Sequence, residues 1–156
     1  GIKPEGLSTT AALTCYLENL HYAAQAAAEH DRIICIEPIN HFDMPGYFLN
    51  YSQQALDIVH ELNHDNIKLQ FDIYHAQRME GHICFSLERL LPYIAHIQIA
   101  NTPGRHEPHL GELNYDFIFH FLKQLQYSGW IGCEYIPAHH TGAGLSWLQP
   151  YLHHPH

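Results

Sequence analysis

The chain has 156 residues, 46% of them hydrophobic and only 15% charged, which suits one globular domain and excludes a disordered chain. Sixteen acidic residues against seven basic ones give a formal charge of −9, which argues against a nucleic-acid or anionic-membrane surface and for a small-molecule partner. The 16 histidines would reverse that sign in acid, so solubility should be poorest between the two limits.

The opening "GIKPEGLSTT" is neither basic nor apolar enough for a secretory signal, and no stretch approaches a membrane span. The chain starts on Gly rather than Met, which suggests a piece cut from something longer. Cys15, Cys35, Cys84 and Cys133 are dispersed, without a C-x-x-C pair, and point to a reducing, cytoplasmic setting.

In chain order, "STTAALTCYLENLHYAAQAAAEH" begins on Ser/Thr and keeps Leu13, Leu17, Leu20, Ala24 and Ala27 on one helical face. "RIICIEPI" is a short β-branched run, apolar on both faces like a strand covered on both sides. "YSQQALDIVHELN" returns to helical spacing and "NIKLQFDIYH" reads as the second strand. A short helix around Leu87 to Leu91 precedes a third strand, "YIAHIQIAN". "YDFIFHFLKQLQYSG" is a helix closed by Gly129, "WIGCEYIPA" a fourth strand, and "GLSWLQPYL" a short terminal helix. The tail from residue 153 to 156 lacks a long His run and is expected to be disordered, leaving 1–152 as a single domain.

Strand followed by helix, repeated four times, predicts an α/β fold with a parallel sheet and right-handed crossovers. Each strand ends on one polar residue: Glu37, Asp72, Gln98 and Glu134, recurring roughly 30 residues apart, about one βα unit. A lone acid after a strand is more often a cap or a turn residue, but four in register mark the carboxyl end of a parallel sheet, where such folds place their sites. Three carboxylates and an amide oxygen form a hard, oxygen-only set suited to Mg²⁺ or Mn²⁺ and poorly suited to structural zinc.

The segments "IEPIN", "MPGYFLN", "LQFDIYHAQ", "HIQIA", "PGRHEP", "GELNYDF", "GCEY" and "GLSWL" closely resemble the hydroxypyruvate isomerases of the xylose-isomerase-like barrel superfamily. The resemblance runs through nearly the whole chain and implies a (β/α)₈ TIM barrel, with this chain supplying strands five to eight. It implies that Glu37, Asp72, Gln98 and Glu134 bind a divalent metal and that Glu37 and Glu134 are the paired acid and base. It places His75 and Arg105 on the substrate, the former from the loop after the second strand, the latter as a fork for a carboxylate. Glu107 and Glu112 are read as structural, near the start of the next helix. The pattern departs from the family at Ala76, His82, His109 and Leu110, none a proposed ligand.

The resemblance further implies isomerisation of hydroxypyruvate to tartronate semialdehyde through an enediolate. A 2-oxotetronate isomerase or a sugar epimerase of the same superfamily is the closest competitor, and a catalytically silent metal-binding half-barrel is the reading from another class. A zinc endonuclease of this barrel type is disfavoured by the lack of His among the strand-end ligands and of a basic surface. A whole barrel takes roughly 250 residues, so strands one to four are expected to be missing. That would leave two unpaired edges and an apolar interior, to be covered by a second copy of the chain or by an amino-terminal half-barrel.

Overall fold

The computed structural model describes residues 1–152; the tail read at 153–156 lies outside them. Helix α1 (Thr9–Ala28) starts where the Ser8 hydroxyl accepts from the Ala11 amide, as the Ser/Thr start predicts. The order continues with β1 (Ile34–Ile36), α2 (Ser52–Leu62), β2 (Ile67–Asp72), α3 (Ile73–Met79) and α4 (Ile83–Leu90). It ends with β3 (Ile94–Ile99), α5 (Tyr115–Gln124), β4 (Trp130–Cys133), the one-turn α6 (Thr141–Gly144) and a 3₁₀ segment, Ser146–Tyr151. No described helix is long and apolar enough to cross a membrane, and the four cysteines are free.

The four strands form one parallel sheet in the order β1-β2-β3-β4, as the strand–helix alternation predicts. Ile67, Leu69 and Phe71 of β2, with Ile97 and Ile99 of β3, turn one face of the sheet toward the helices and are at most 2% exposed. They meet Ala55, Ile58 and Val59 of α2, Leu87 and Leu90 of α4, and Ile118 and Leu122 of α5 in one core. With a side-chain period of two, Lys68, Gln70 and Asp72 of β2 and His96 and Gln98 of β3 occupy the opposite face. That face is polar, so the expectation of an apolar interior is wrong: only the side turned to the helices carries a hydrophobic core.

Three local expectations also need correction. The second strand stops at Asp72 instead of running through His75, because the Asp72 carboxylate caps α3. Helix α5 ends at Gln124, before Gly129; Gln126 supplies the left-handed residue, with φ of 58°. Glu107 and Glu112 are structural, but as loop ties rather than partners of a helix dipole. The Glu107 carboxylate is buried and accepts from the Ala138 amide at 3.1 Å, and Glu112 accepts from the Thr102 hydroxyl at 2.7 Å.

Among the described residues, the outer edges of β1 and β4 have no partner strand. Trp130, which opens β4, is 84% exposed.

Candidate functional site

All four strand-end residues lie at the carboxyl edge of the sheet. Glu37 follows β1, Asp72 closes β2, Gln98 sits level with it on β3, and Glu134 follows β4 with its amide donating to the Ile99 carbonyl at 3.1 Å. One ligand atom from each of Glu37, Asp72, His75 and Glu134 lies within 4.8 Å of the others. Gln98 reaches the same group through Gln70, whose side-chain amide donates to Glu37 Oε2 at 2.8 Å and Gln98 Oε1 at 2.5 Å. Gln70 was not singled out from the sequence; its position two residues before Asp72 on one strand, hence on the same face, was the available signal.

Asp72 is fully buried, and its two oxygens differ. Oδ1 accepts from the amides of Tyr74 at 2.8 Å and His75 at 3.4 Å, whereas Oδ2 has no hydrogen-bond partner. Burial pushes the Asp72 carboxyl up to about 6, and burial together with the charges of Asp72 and Glu134 pushes Glu37 up to about 7. Glu134 is half exposed at the rim and accepts from Arg105 Nη2 at 2.5 Å. Arg105 also lies 3.6 Å from Asp72 Oδ2, and its guanidinium sits 5.1 Å from the centre of the Tyr74 ring.

An unpartnered buried carboxylate oxygen, flanked by the carboxylate of Glu134 and by Glu37, whose proton burial and neighbouring charge hold unusually high, is an arrangement that a hard divalent cation relieves. The residues present therefore fit such an ion. Glu37, Asp72 and Glu134 supply anionic oxygen, and Gln98 supplies a carbonyl oxygen on the same side of Gln70.

His75 enters from the first turn of α3, a helix rather than the expected loop. It is 3% exposed, and burial pulls its imidazole down to about 4, so it is neutral at physiological pH. Its Nε2 stands 3.7 Å from Asp72 Oδ2 and 3.9 Å from Glu37 Oε1, beyond hydrogen-bond reach but around the same space. The loop that carries Arg105 is fixed to the segment after β4: the Arg105 carbonyl accepts from the Ile136 amide at 2.7 Å, two residues beyond Glu134. Asn101, fully buried, ties the base of that loop by donating to the carbonyls of Pro108 and Leu113. All six residues singled out from the sequence are thus brought together.

The profile of the xylose isomerase-like TIM barrel family matches residues 1–151, and the chain belongs to that family. It is 49% identical to a 2-oxo-tetronate isomerase of Cupriavidus necator and 44% identical to the hydroxypyruvate isomerase of Escherichia coli K12, over 97% of its own length in each case. It spans 58% of the length of each of these relatives. Among solved structures, it is similar to a Brucella melitensis protein described as an AP endonuclease of family 2. There the TM-score is 0.91 at 42% identity, covering 94% of this chain and 57% of that one. A 3-keto-D-glucoside 4-epimerase of E. coli shares the fold, with a TM-score of 0.83 at 21% identity, covering 94% and 57%.

Proposed function

We propose that the chain is the carboxy-terminal, metal-holding part, strands five to eight, of a barrel isomerase acting on a small 2-oxo acid with a hydroxyl on the neighbouring carbon. Hydroxypyruvate is the substrate of choice and tartronate semialdehyde its product. The observation that carries the reading is the convergence of Glu37, Glu134 and Arg105 around the unpartnered Oδ2 of Asp72. The identity to relatives named for hydroxypyruvate and for 2-oxo-tetronate supports the same class of substrate.

Glu37, Asp72, Gln98 and Glu134 would hold a divalent ion, Mg²⁺ or Mn²⁺. When bound, that ion stabilises the negative charge that develops on two adjacent substrate oxygens. The residues do the rest. One of Glu37 and Glu134, as carboxylate, takes the proton from C3 of hydroxypyruvate; the electron pair forms the C2=C3 double bond and charge moves to the C2 oxygen. The other, as carboxylic acid, returns a proton to C2 while the proton of the C3 hydroxyl passes to the C2 oxygen, leaving an aldehyde at C3 and a hydroxyl at C2. Two carboxyls in different protonation states are required at that moment, and the raised value of Glu37 beside the exposed rim position of Glu134 provides unequal environments for them. His75 donates to a substrate oxygen. Arg105, already aimed at carboxylates, exchanges Glu134 for the substrate carboxylate.

A specific observation keeps 2-oxo-tetronate as the second substrate: the relative named for it is 49% identical to this chain over 152 residues. DNA is not favoured, since seven basic residues against 16 acidic ones make no footprint for phosphates. The test is conversion of hydroxypyruvate, and in parallel 2-oxo-tetronate, with added Mg²⁺ or Mn²⁺, on protein whose mass in solution is known. Turnover abolished by chelator supports the reading. A folded, metal-binding sample without turnover on either acid overturns it in favour of a catalytically silent metal-binding half-barrel.

A further inference from the structure

The Nδ1 side of His75, away from the carboxylates, is occupied by Asn40. Asn40 is fully buried, four residues beyond the end of β1, and no proton-transfer or ligand role accounts for its burial. Its backbone amide donates to His75 Nδ1 at 3.3 Å, and its side-chain nitrogen lies 2.6 Å from the same atom. A backbone N–H can only donate, so Nδ1 must present its lone pair.

The orientation of the Asn40 side chain is fixed independently. Its Oδ1 accepts from the Asp43 backbone amide at 2.8 Å, so its nitrogen faces Asp43 Oδ2 at 3.0 Å and His75 Nδ1. Both hydrogens of that NH₂ therefore go to acceptors. Asp43 is itself held, accepting from the Tyr74 hydroxyl at 2.7 Å and from Arg78 at 2.9 Å. Tyr74 and Arg78 belong to α3, as His75 does, so one helix supplies the imidazole and two of the anchors that fix its partner.

We propose that Asn40, clamped by Asp43, is a positioning residue that holds His75 in the tautomer with its proton on Nε2. That proton then faces the space between Glu37 and Asp72. The imidazole is a hydrogen-bond donor to whatever oxygen occupies that space and has no Nε2 lone pair to give to a cation. This separates His75 from the three carboxylates it stands among: they offer lone pairs, and it offers a hydrogen. The side-chain contact at 2.6 Å is the shorter of the two, so an acceptor in place of the Asn40 amide nitrogen would outweigh the backbone amide at 3.3 Å and draw the proton to Nδ1.

The tautomer is read directly from a long-range ¹⁵N–¹H correlation spectrum of the labelled chain without metal, with His75 identified by the pattern lost in His75→Gln. The expected result is a pyrrole-like Nε2 and a pyridine-like Nδ1 in the wild type. Asn40→Asp should exchange the two assignments, and Asn40→Asp with Asp43→Asn does the same without placing two carboxylates side by side. A protonated Nδ1 in the wild type overturns the proposal by itself, whether or not either variant folds. So does an unchanged tautomer in a folded variant. The turnover arm rests on the isomerase reading: kcat should fall about 10- to 100-fold with a smaller change in KM, the range for loss of a residue that orients another at a metal site. Absence of turnover in the wild type would count against that reading and leave the spectra, and the tautomer they report, in force.

Discussion

Oδ1 of Asp72 accepts from the first amides of α3, whereas Oδ2 stands buried without a partner, so the helix cap uses one oxygen and the proposed ligand role would use the other. Asp72→Asn should separate them. An amide oxygen keeps the cap while the buried charge disappears, so without metal the variant should melt no lower than the wild type at neutral pH; its affinity for Mn²⁺, measured by calorimetry, should drop at least about tenfold. Glu134→Gln keeps the volume and removes the proton acceptor, and turnover should fall by more than about tenfold; survival within that factor would sink the assigned role. The pH dependence follows from raised carboxylates. Glu37, at about 7, and Asp72, at about 6, contribute stability that is present below their ordinary range and lost as pH rises through those values. His75, at about 4, acts oppositely: its contribution is present above the ordinary imidazole value and is lost as pH falls toward 4. Protons compete with a cation for Glu37 and Asp72, so the rise in melting temperature caused by Mn²⁺ should be larger at about pH 8 than at about pH 5.5. An equal rise at both would mean that the ion binds elsewhere.

Strand and helix alternation was legible because each element repeats its own period: Leu13, Leu17 and Leu20 on α1, Ile67, Leu69 and Phe71 on β2. What periodicity missed was decided by single side chains. Ile73 and Tyr74 continue an apolar run that suits a strand, and only the Asp72 carboxylate, capping two amides, turns the chain into α3 there. That turn also places His75, so the site residue was legible while its element was not. Gly129 looked like a helix stop, but Gln126 takes the left-handed turn three residues earlier. A side chain at that φ costs about 1 kcal/mol relative to glycine. Gln126 is exposed, and Gln126→Gly should therefore stabilise the chain by about 0.5–1 kcal/mol in urea unfolding, the loss of unfolded-state order offsetting part of the gain. A destabilised variant would show that the Gln126 side chain makes contacts of its own in solution.

The group of strand-end residues was legible in the sequence because a parallel sheet brings its strand ends to one edge whatever the length of the intervening chain. The character of the face beneath was not, because Lys68, Gln70, His96 and Gln98 alternate with core residues and read as the polar half of ordinary strands. Gly132 fits that face: a Cβ there would lie 2.8 Å from the His96 ring, so glycine lets the imidazole rest against β4. Trp130 belongs to the same alternation and is left 84% exposed, beside an edge that no described strand covers. An indole in that position is the kind of surface that four further strands would bury, whether from a second copy or from an amino-terminal half-barrel. If copies of the chain cover one another, its mass by sedimentation should rise with concentration, and quenching of tryptophan emission by acrylamide should fall in step. The part-buried Trp147 supplies a background that does not change. Trp130→Lys, which blunts the edge with a charge, should then hold the chain monomeric without lowering its affinity for Mn²⁺, because Trp130 lies at the opposite end of β4 from Glu134. A wild type that stays monomeric, with Trp130 fully quenchable at every concentration, would rule out self-closure.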